Sequence, residues 1–238
     1  GGSGGSGHVA LQMARALGAR HITTVCSERS RDLVVSCGAT HVVDYSKGEW
    51  VEDGTTGHLR NDAFVRQLQE APGCPFDVIL DCVTSADPDD AKFNYPATIQ
   101  NPKNGLVASK DKSISASAGP DAEASESQAA PITTYLYQRL GGSSPDWFRA
   151  TLDRPRILPR SLVWFPHSRE QLFWIKFPHC AKQLDNFRRL AEDGKLVPHI
   201  SKTIDGLSAA NIQEGFDDIL QRRVKGKIVV RVKTKDEQ

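Results

Sequence analysis

"GGSGGSGHVALQMARALGAR" (1–20) decides the fold, because its first seven residues admit two opposed readings. A Gly/Ser repeat at a terminus has the composition of a flexible spacer. The same residues also hold Gly2-x-Gly4-x-x-Gly7, the spacing in which glycines permit a tight turn, close backbone approach to an anion and close helix packing. The second reading makes a demand that the first does not. A helix must begin at once, so that its unpaired N–H groups face the anion, and a strand must follow. Apolar Val9, Ala10, Met13, Ala14 and Leu17 recur at helical spacing, and Gly18 supplies the stop. "HITTVC" (21–26) is short and β-branched, as a buried strand should be.

The alternation continues outward. "SRDLVVSCGA" (30–39) predicts a helix closing on Gly38, and "THVVDY" (40–45) a strand. After a polar, Gly-rich stretch (46–58), "NDAFVRQLQEA" (61–71) predicts a helix with an Asn cap, and "FDVILDCV" (76–83) an apolar strand. Strands alternating with helices imply an α/β fold, a Rossmann-like doubly wound parallel sheet. The strand expected ahead of Gly1 is absent from the sequence.

From about 87 to 160, Ser, Ala, Pro and acidic residues follow no sustained period, which reads as an irregular insertion of loops. Within it, "NGLVAS" (104–109) is expected as a short strand and "TTYLYQRL" (133–140) as a short helix. Beyond it, "SLVWFP" (161–166) is expected as a strand and "CAKQLDNFRRLAEDGK" (180–195) as a helix with Leu184, Phe187, Leu190 and Ala191 on one face. Then come a strand at "KLVPHI" (195–200), a helix at "SAANIQEGFDDILQRR" (208–223) capped by Ser208, and a strand at "GKIVVRV" (226–232).

Composition narrows the function classes. With 238 residues, 39% hydrophobic and 25% charged, the chain can bury a sizeable core. A net charge of +1 with mixed signs makes no field that would gather nucleic acid. No apolar run approaches the ~20 residues needed to span a bilayer. The five cysteines are odd in number and form no C-x-x-C pair, which argues against a disulfide framework or a zinc ribbon.

Taken together, "GGSGGSGHVALQMARALGA", "VCSERSRDLVVSCGATHVVDY", "PFDVILDCV", "LAEDGKLVPHI" and "GFDDILQRRVKGKIVVRV" resemble the medium-chain dehydrogenase/reductase superfamily. Within it they resemble the zinc-independent quinone-oxidoreductase-like branch of the Nogo-interacting mitochondrial type. The resemblance covers roughly the first 85 and the last 60 residues. It implies a nucleotide-binding domain over 1–195 and, over 196–238, the C-terminal segment of a split catalytic domain. The N-terminal GroES-like domain of that family has no counterpart here, so a chain truncated at its N-terminus is expected.

For the cofactor, an acidic residue at the end of the second strand binds the ribose of NAD, whereas a nearby Arg accommodates the 2′-phosphate of NADP. Here Ser27 follows the strand, with Glu28, Arg29, Ser30 and Arg31 behind it. Forked guanidinium donors suit a phosphate, so NADP (NADPH) is expected ahead of NAD, with Glu28 the dissenting residue. The resemblance adds Tyr45 on the adenosine side. The expected cofactor-binding set is Gly2, Gly4, Gly5, Ser6, Gly7, Ser27, Arg29, Arg31, Tyr45, Cys82 and Val83. The last two end a strand whose carboxyl end should face the crevice. His8 reads either as a phosphate donor or as a bystander at a helix start. Cys82 reads as a small filler rather than a reactive thiol, since no basic neighbour is evident to lower its pKa.

No His/Cys/Glu spacing makes a metal site, and no Tyr has a Lys four residues on, which argues against a short-chain dehydrogenase. No catalytic residue is assigned. Trp164, Phe165, Phe173, Trp174 and Phe177 read as core packing, or as the border of a hydrophobic substrate cleft or dimer contact. The implied activity is hydride transfer, without zinc, to a quinone, enone or enoyl substrate. The alternatives are a catalytically inactive NADP-binding or interaction module, or a linker fused to an unrelated α/β domain. A homodimer and an intracellular location, cytoplasmic or mitochondrial, complete the expectations.

Overall fold

The computed structural model describes residues 1–54, 57–83, 92–107, 136–139, 170–172, 181–221 and 224–232. They fall into two units. The first comprises Gly1–Val51, Asn61–Gly73 and Trp174–Gln238, and the second Glu52–Arg60 and Cys74–Phe173.

The first unit begins with the expected helix, α1 (Gly7–Ala16), and strand, β1 (Thr23–Cys26). A 3-10 turn (Glu28–Ser30) leads into α2 (Arg31–Ser36) and β2 (His41–Asp44). β1 and β2 pair in parallel, with Cys26 level with Asp44 at their carboxyl ends. Leu11 of α1, Val34 of α2, Cys26 of β1 and Val42 of β2 bury one core, joined by Ile22, Cys37 and Ala39. β-Branched residues suit these short strands because both of their faces are covered. Gly18 (φ +81°) and Gly38 (φ +110°) end α1 and α2 in the left-handed region, which glycine enters without a Cβ clash.

Strands β3 (Val51–Glu52) and β4 (Leu59–Arg60) form a small pair, the first within the polar, Gly-rich stretch 46–58 and the second just after it. α3 (Asp62–Gln69) opens on the expected cap, Asn61 Oδ1 accepting from Phe64 N at 2.9 Å. It buries Phe64, Val65 and Leu68, with the Phe64 ring 5.6 Å from that of Trp50.

In the second unit, β5 (Val78–Asp81), β6 (Leu136–Arg139) and β7 (Glu170–Leu172) form a parallel sheet in that order. α4 (Tyr95–Gln100) precedes Leu106, which is fully buried, and Phe76 bridges Val107. The helix expected at 133–140 is therefore corrected: its described part is the central strand β6. Parallel pairing on both sides satisfies its backbone, and Tyr137 is buried with its hydroxyl donating to Asp81 Oδ2 at 2.7 Å. Short local periodicity loses to such tertiary pairing. The strand expected at 161–166 and the aromatic cluster at Trp164, Phe165, Phe173, Trp174 and Phe177 lie outside the described residues.

The tail of the first unit holds α5 (Ala181–Glu192), then β8 (Ile200–Asp205), α6 (Ala209–Leu220) and β9 (Lys227–Arg231). β8 and β9 pair in parallel, and Ser208 caps α6 as expected by accepting from Asn211 N at 3.2 Å. A second correction concerns "KLVPHI": the strand starts only at Ile200 and runs on to Asp205. Pro198 has no N–H to donate. The neighbouring backbone is engaged elsewhere, Val197 N by Gln12 Oε1 (2.7 Å) and His199 N by His8 Nε2 (3.1 Å). On α5, Leu184 of the expected apolar face is 61% exposed.

Candidate functional site

The glycine loop lies against the carboxyl end of β1. Gly1 and Gly2 both donate to Val25 O at 3.1 Å, and Gly4 N donates to Gly1 O at 3.2 Å, closing a tight turn. The three spaced glycines meet different surroundings. A Cβ on Gly2 would collide with Thr24 Oγ1 of β1, and one on Gly7 with Gly1 O and, at 2.7 Å, with Gly2 Cα. A Cβ on Gly4 would meet only Gly1 O, at 3.4 Å, an ordinary contact. None of these residues has positive φ, so their lack of a side chain serves space rather than dihedral freedom.

Internal packing thus accounts for Gly2 and Gly7 but, among the described residues, leaves Gly4 without a reason. An external group lying on the loop backbone would supply one. Ser6 stands at the N-cap of α1 with its side chain making no capping bond, and no described residue accepts from Gly5 N or Ser6 N. Backbone donors without a described acceptor at a helix start suit a phosphate, so this loop fits the group that the sequence implied.

Beyond β1, Ser27 is extended and enters the 3-10 turn. Arg31 forks onto Glu28, Nε donating to Oε1 at 2.6 Å and the terminal nitrogen to Oε2 at 3.0 Å. The Arg31 hydrogen bond holds the Glu28 carboxyl below the usual carboxylate range. Glu28 is therefore directed to Arg31, and Arg31 is matched by a carboxylate. Arg29 has its backbone carbonyl bonded by Lys225 Nζ. Asp44, buried at the end of β2, accepts from Ser46 N (2.9 Å) and Ser46 Oγ (2.6 Å). Burial pushes its carboxyl up, but these bonds together with Lys47 outweigh that and hold it low. The Tyr45 side chain is exposed, and its carbonyl accepts from Trp50 Nε1 at 3.1 Å.

His8 is completely buried, and both of its ring nitrogens are engaged. Nδ1 meets Gly4 O at 2.7 Å and Nε2 accepts from His199 N, so the neutral ring carries its proton on Nδ1. This overturns the phosphate-donor reading of His8; it braces the loop from behind. Gln12, which sequence reasoning did not single out, clamps Val197 through both amide atoms, Oε1 to N (2.7 Å) and Nε2 to O (3.0 Å). Gly226 donates to Ser3 O at 2.9 Å, another contact with no signal in the sequence beyond a glycine before a strand.

Cys82 and Val83 follow β5 in the second unit, where Val83 N donates to Asp81 Oδ1 at 2.9 Å. Burial pushes the Cys82 thiol up, which suits a filler rather than a nucleophile. Among the described residues, no group of three or more His, Cys, Asp or Glu is placed to hold a metal, and no helix is long and apolar enough to cross a membrane.

Residues 5–94 match the family model described as zinc-binding dehydrogenase. Over 48 residues the chain is 52% identical to the mitochondrial NAD(P)H oxidoreductase RTN4IP1 of Danio rerio, covering 20% of this chain and 12% of that protein. It is 25% identical over 239 residues to a trans-enoyl reductase of Gibberella fujikuroi, covering 97% of this chain and 53% of that one. Among solved structures, the quinone oxidoreductase from Coxiella burnetii superposes with a TM-score of 0.54 at 18% identity, covering 98% of this chain and 51% of that one. The chain thus spans about half the length of the relatives that it matches end to end. The structural likeness shows a shared Rossmann-like α/β fold.

Proposed function

We propose, for a chain related to the medium-chain dehydrogenase/reductase superfamily through its zinc-binding-dehydrogenase segment at residues 5–94, the cofactor-binding region of an NADPH-dependent oxidoreductase acting on quinones, enones or enoyl groups. The observation that carries this reading is Gly4, a glycine that packing among the described residues does not require, set between two that it does. When bound, the nicotinamide supplies the hydride, and the protein's part is to hold and orient the cofactor. Gly5 and Ser6 would carry the pyrophosphate on backbone N–H groups at the start of α1, in a loop whose close packing and open surface come from Gly2, Gly4 and Gly7. Ser27, Arg29, Arg31 and Tyr45 would flank the adenosine ribose.

Preference for NADPH is supported by the absence of a carboxylate directly after β1 and by the engagement of Glu28 with Arg31. Against a strong preference, the same pair matches Arg31 with a carboxylate. We place the chemistry outside zinc catalysis, the protein in an intracellular, cytoplasmic or mitochondrial compartment, and the assembly as a homodimer. Residues 196–238 are proposed as the C-terminal segment of a split catalytic domain.

Titrating NADPH and NADH against the purified chain tests the reading: NADPH should bind the more tightly. Binding of neither nucleotide would sink it. Binding without quinone-dependent NADPH oxidation would favour the second reading, an inactive NADP-binding module.

A further inference from the structure

Among the described residues His8 is the buried histidine, and its two partners fix its protonation state. Both are backbone groups that can play one role only. Nδ1 donates to Gly4 O at 2.7 Å, and His199 N donates to Nε2 at 3.1 Å. A carbonyl oxygen has no hydrogen to give and an amide nitrogen cannot accept, so the neutral Nδ1–H ring is the one form that satisfies both. A second proton has only Nε2 to occupy. It leaves the bond to Gly4 O intact but sets an N–H against the N–H of His199, which loses its acceptor.

The surroundings offer that charge no anion. The glycine loop brings the Gly1 amine, which donates to Val25 O, and α1 brings neutral Gln12, which donates to His8 O at 3.2 Å, and Arg15, which lies against Gly38. β1 and α2 bring the thiols of Cys26 and Cys37, both pushed up by burial. The segment after α5 brings the exposed His199 ring, and the start of β9 the Lys227 ammonium, 3.9 Å from where a Gly5 Cβ would lie. His199 is in turn a junction. Its carbonyl accepts from Lys227 N at 2.9 Å, and the adjoining Gly226, packed against it, donates to Ser3 O at 2.9 Å. The Gln12 clamp on Val197 contains no titratable atom.

We infer that His8 is a proton switch for the C-terminal segment: a proton on Nε2 releases His199, and with it the Gly226 turn, from the glycine loop, while Gln12 keeps Val197 in place. The imidazolium goes on donating from Nδ1 to Gly4 O, so the brace behind the loop survives and only the link to the far end of the chain is cut. The switch is independent of what the loop binds. An imidazole ordinarily titrates near pH ~6.5, within the range where small changes of acidity act.

Amide hydrogen exchange of the purified chain, resolved by NMR and expressed as protection factors, tests this between about pH 8 and about pH 5.5, on either side of the ordinary imidazole value. The His199 and Gly226 amides should lose protection roughly tenfold on acidification, as for one net hydrogen bond, in step with the His8 ring signals. The Val197 amide and those of β1 and β2 should stay within about twofold. His199→Gln removes the exposed neighbouring ring but keeps the backbone N–H, and should leave the transition unchanged. His8→Gln keeps a side-chain oxygen able to accept from His199 N but has nothing to titrate, and should abolish it. Protection at His199 and Gly226 that is flat across the range overturns the switch, as does a transition that vanishes in His199→Gln or persists in His8→Gln. Should His8→Gln fail to fold, the wild-type and His199→Gln chains still decide.

Discussion

Single glycines carry the argument at the residue scale, because the same residue type answers different demands a few positions apart. Gly7 lies against Gly1 and Gly2, so Gly7→Ala must push the loop off α1 and should cost about 1–3 kcal/mol, the usual range for overpacking. Gly4→Ala meets only an ordinary contact. Its urea midpoint should stay within experimental error of wild type, while its affinity for NADPH falls at least several-fold. A Gly4→Ala chain that unfolds as readily as Gly7→Ala would refute the claim that Gly4 is kept open for a ligand. The spacing of these glycines was legible in the sequence. Their division of labour was not, since it depends on Thr24 of β1 and on the turn back to Gly1. Likewise Glu28 and Arg31 read as competitors for the ribose, and only their mutual fork shows that each occupies the other.

Elements whose ends are decided locally were the readable ones. Asn61 and Ser208 cap α3 and α6 as their sequences predict, because a capping side chain needs only its own next turn. Asn61 does more than cap: it is buried, and its Nδ2 donates to Lys47 O at 3.0 Å. Asn61→Ala should therefore lower stability by about 2 kcal/mol in denaturant titration, the upper part of the capping range. Asn61→Asp keeps the cap acceptor and should lose less. β6 and the start of β8 were not readable, because partners distant in sequence decide them: β5 and β7 flank the one, Gln12 and His8 engage the backbone before the other. The end of β2 has a pH signature. Asp44 has its folded pKa depressed, so its contribution is present above the ordinary carboxylate pKa of ~3.9 and is lost as pH falls through the lower folded value. Asp44→Asn should thus narrow its stability gap to wild type on acidification below about pH 4. Ser46→Ala should show part of the same effect, and a gap that widens in acid would contradict the assignment.

Across the whole molecule, the long-range feature that the sequence concealed is the attachment of residues 197–226 to the first twelve residues. Its bonds join groups separated by 185 positions at Gln12–Val197 and 191 at His8–His199, with Gly226 on Ser3 as the third. Each involves a side chain or an irregular backbone group that no periodicity marks. Gln12 meets both the N–H and the carbonyl of Val197, which is what a neighbouring strand would do for it. His8 couples the loop carbonyl of Gly4 to the backbone of His199, so the shape of the loop depends on the C-terminal segment being seated. Gln12→Ala should therefore leave the protection of β1 and β2 amides unchanged in hydrogen exchange while the Val197 amide exchanges faster by roughly tenfold, as for loss of one net hydrogen bond. His8→Ala should do the same at His199 and, unlike Gln12→Ala, should also loosen the Gly4 turn and weaken nucleotide binding. If His199 kept its protection in His8→Ala, the imidazole would not be the link between the two ends of the chain.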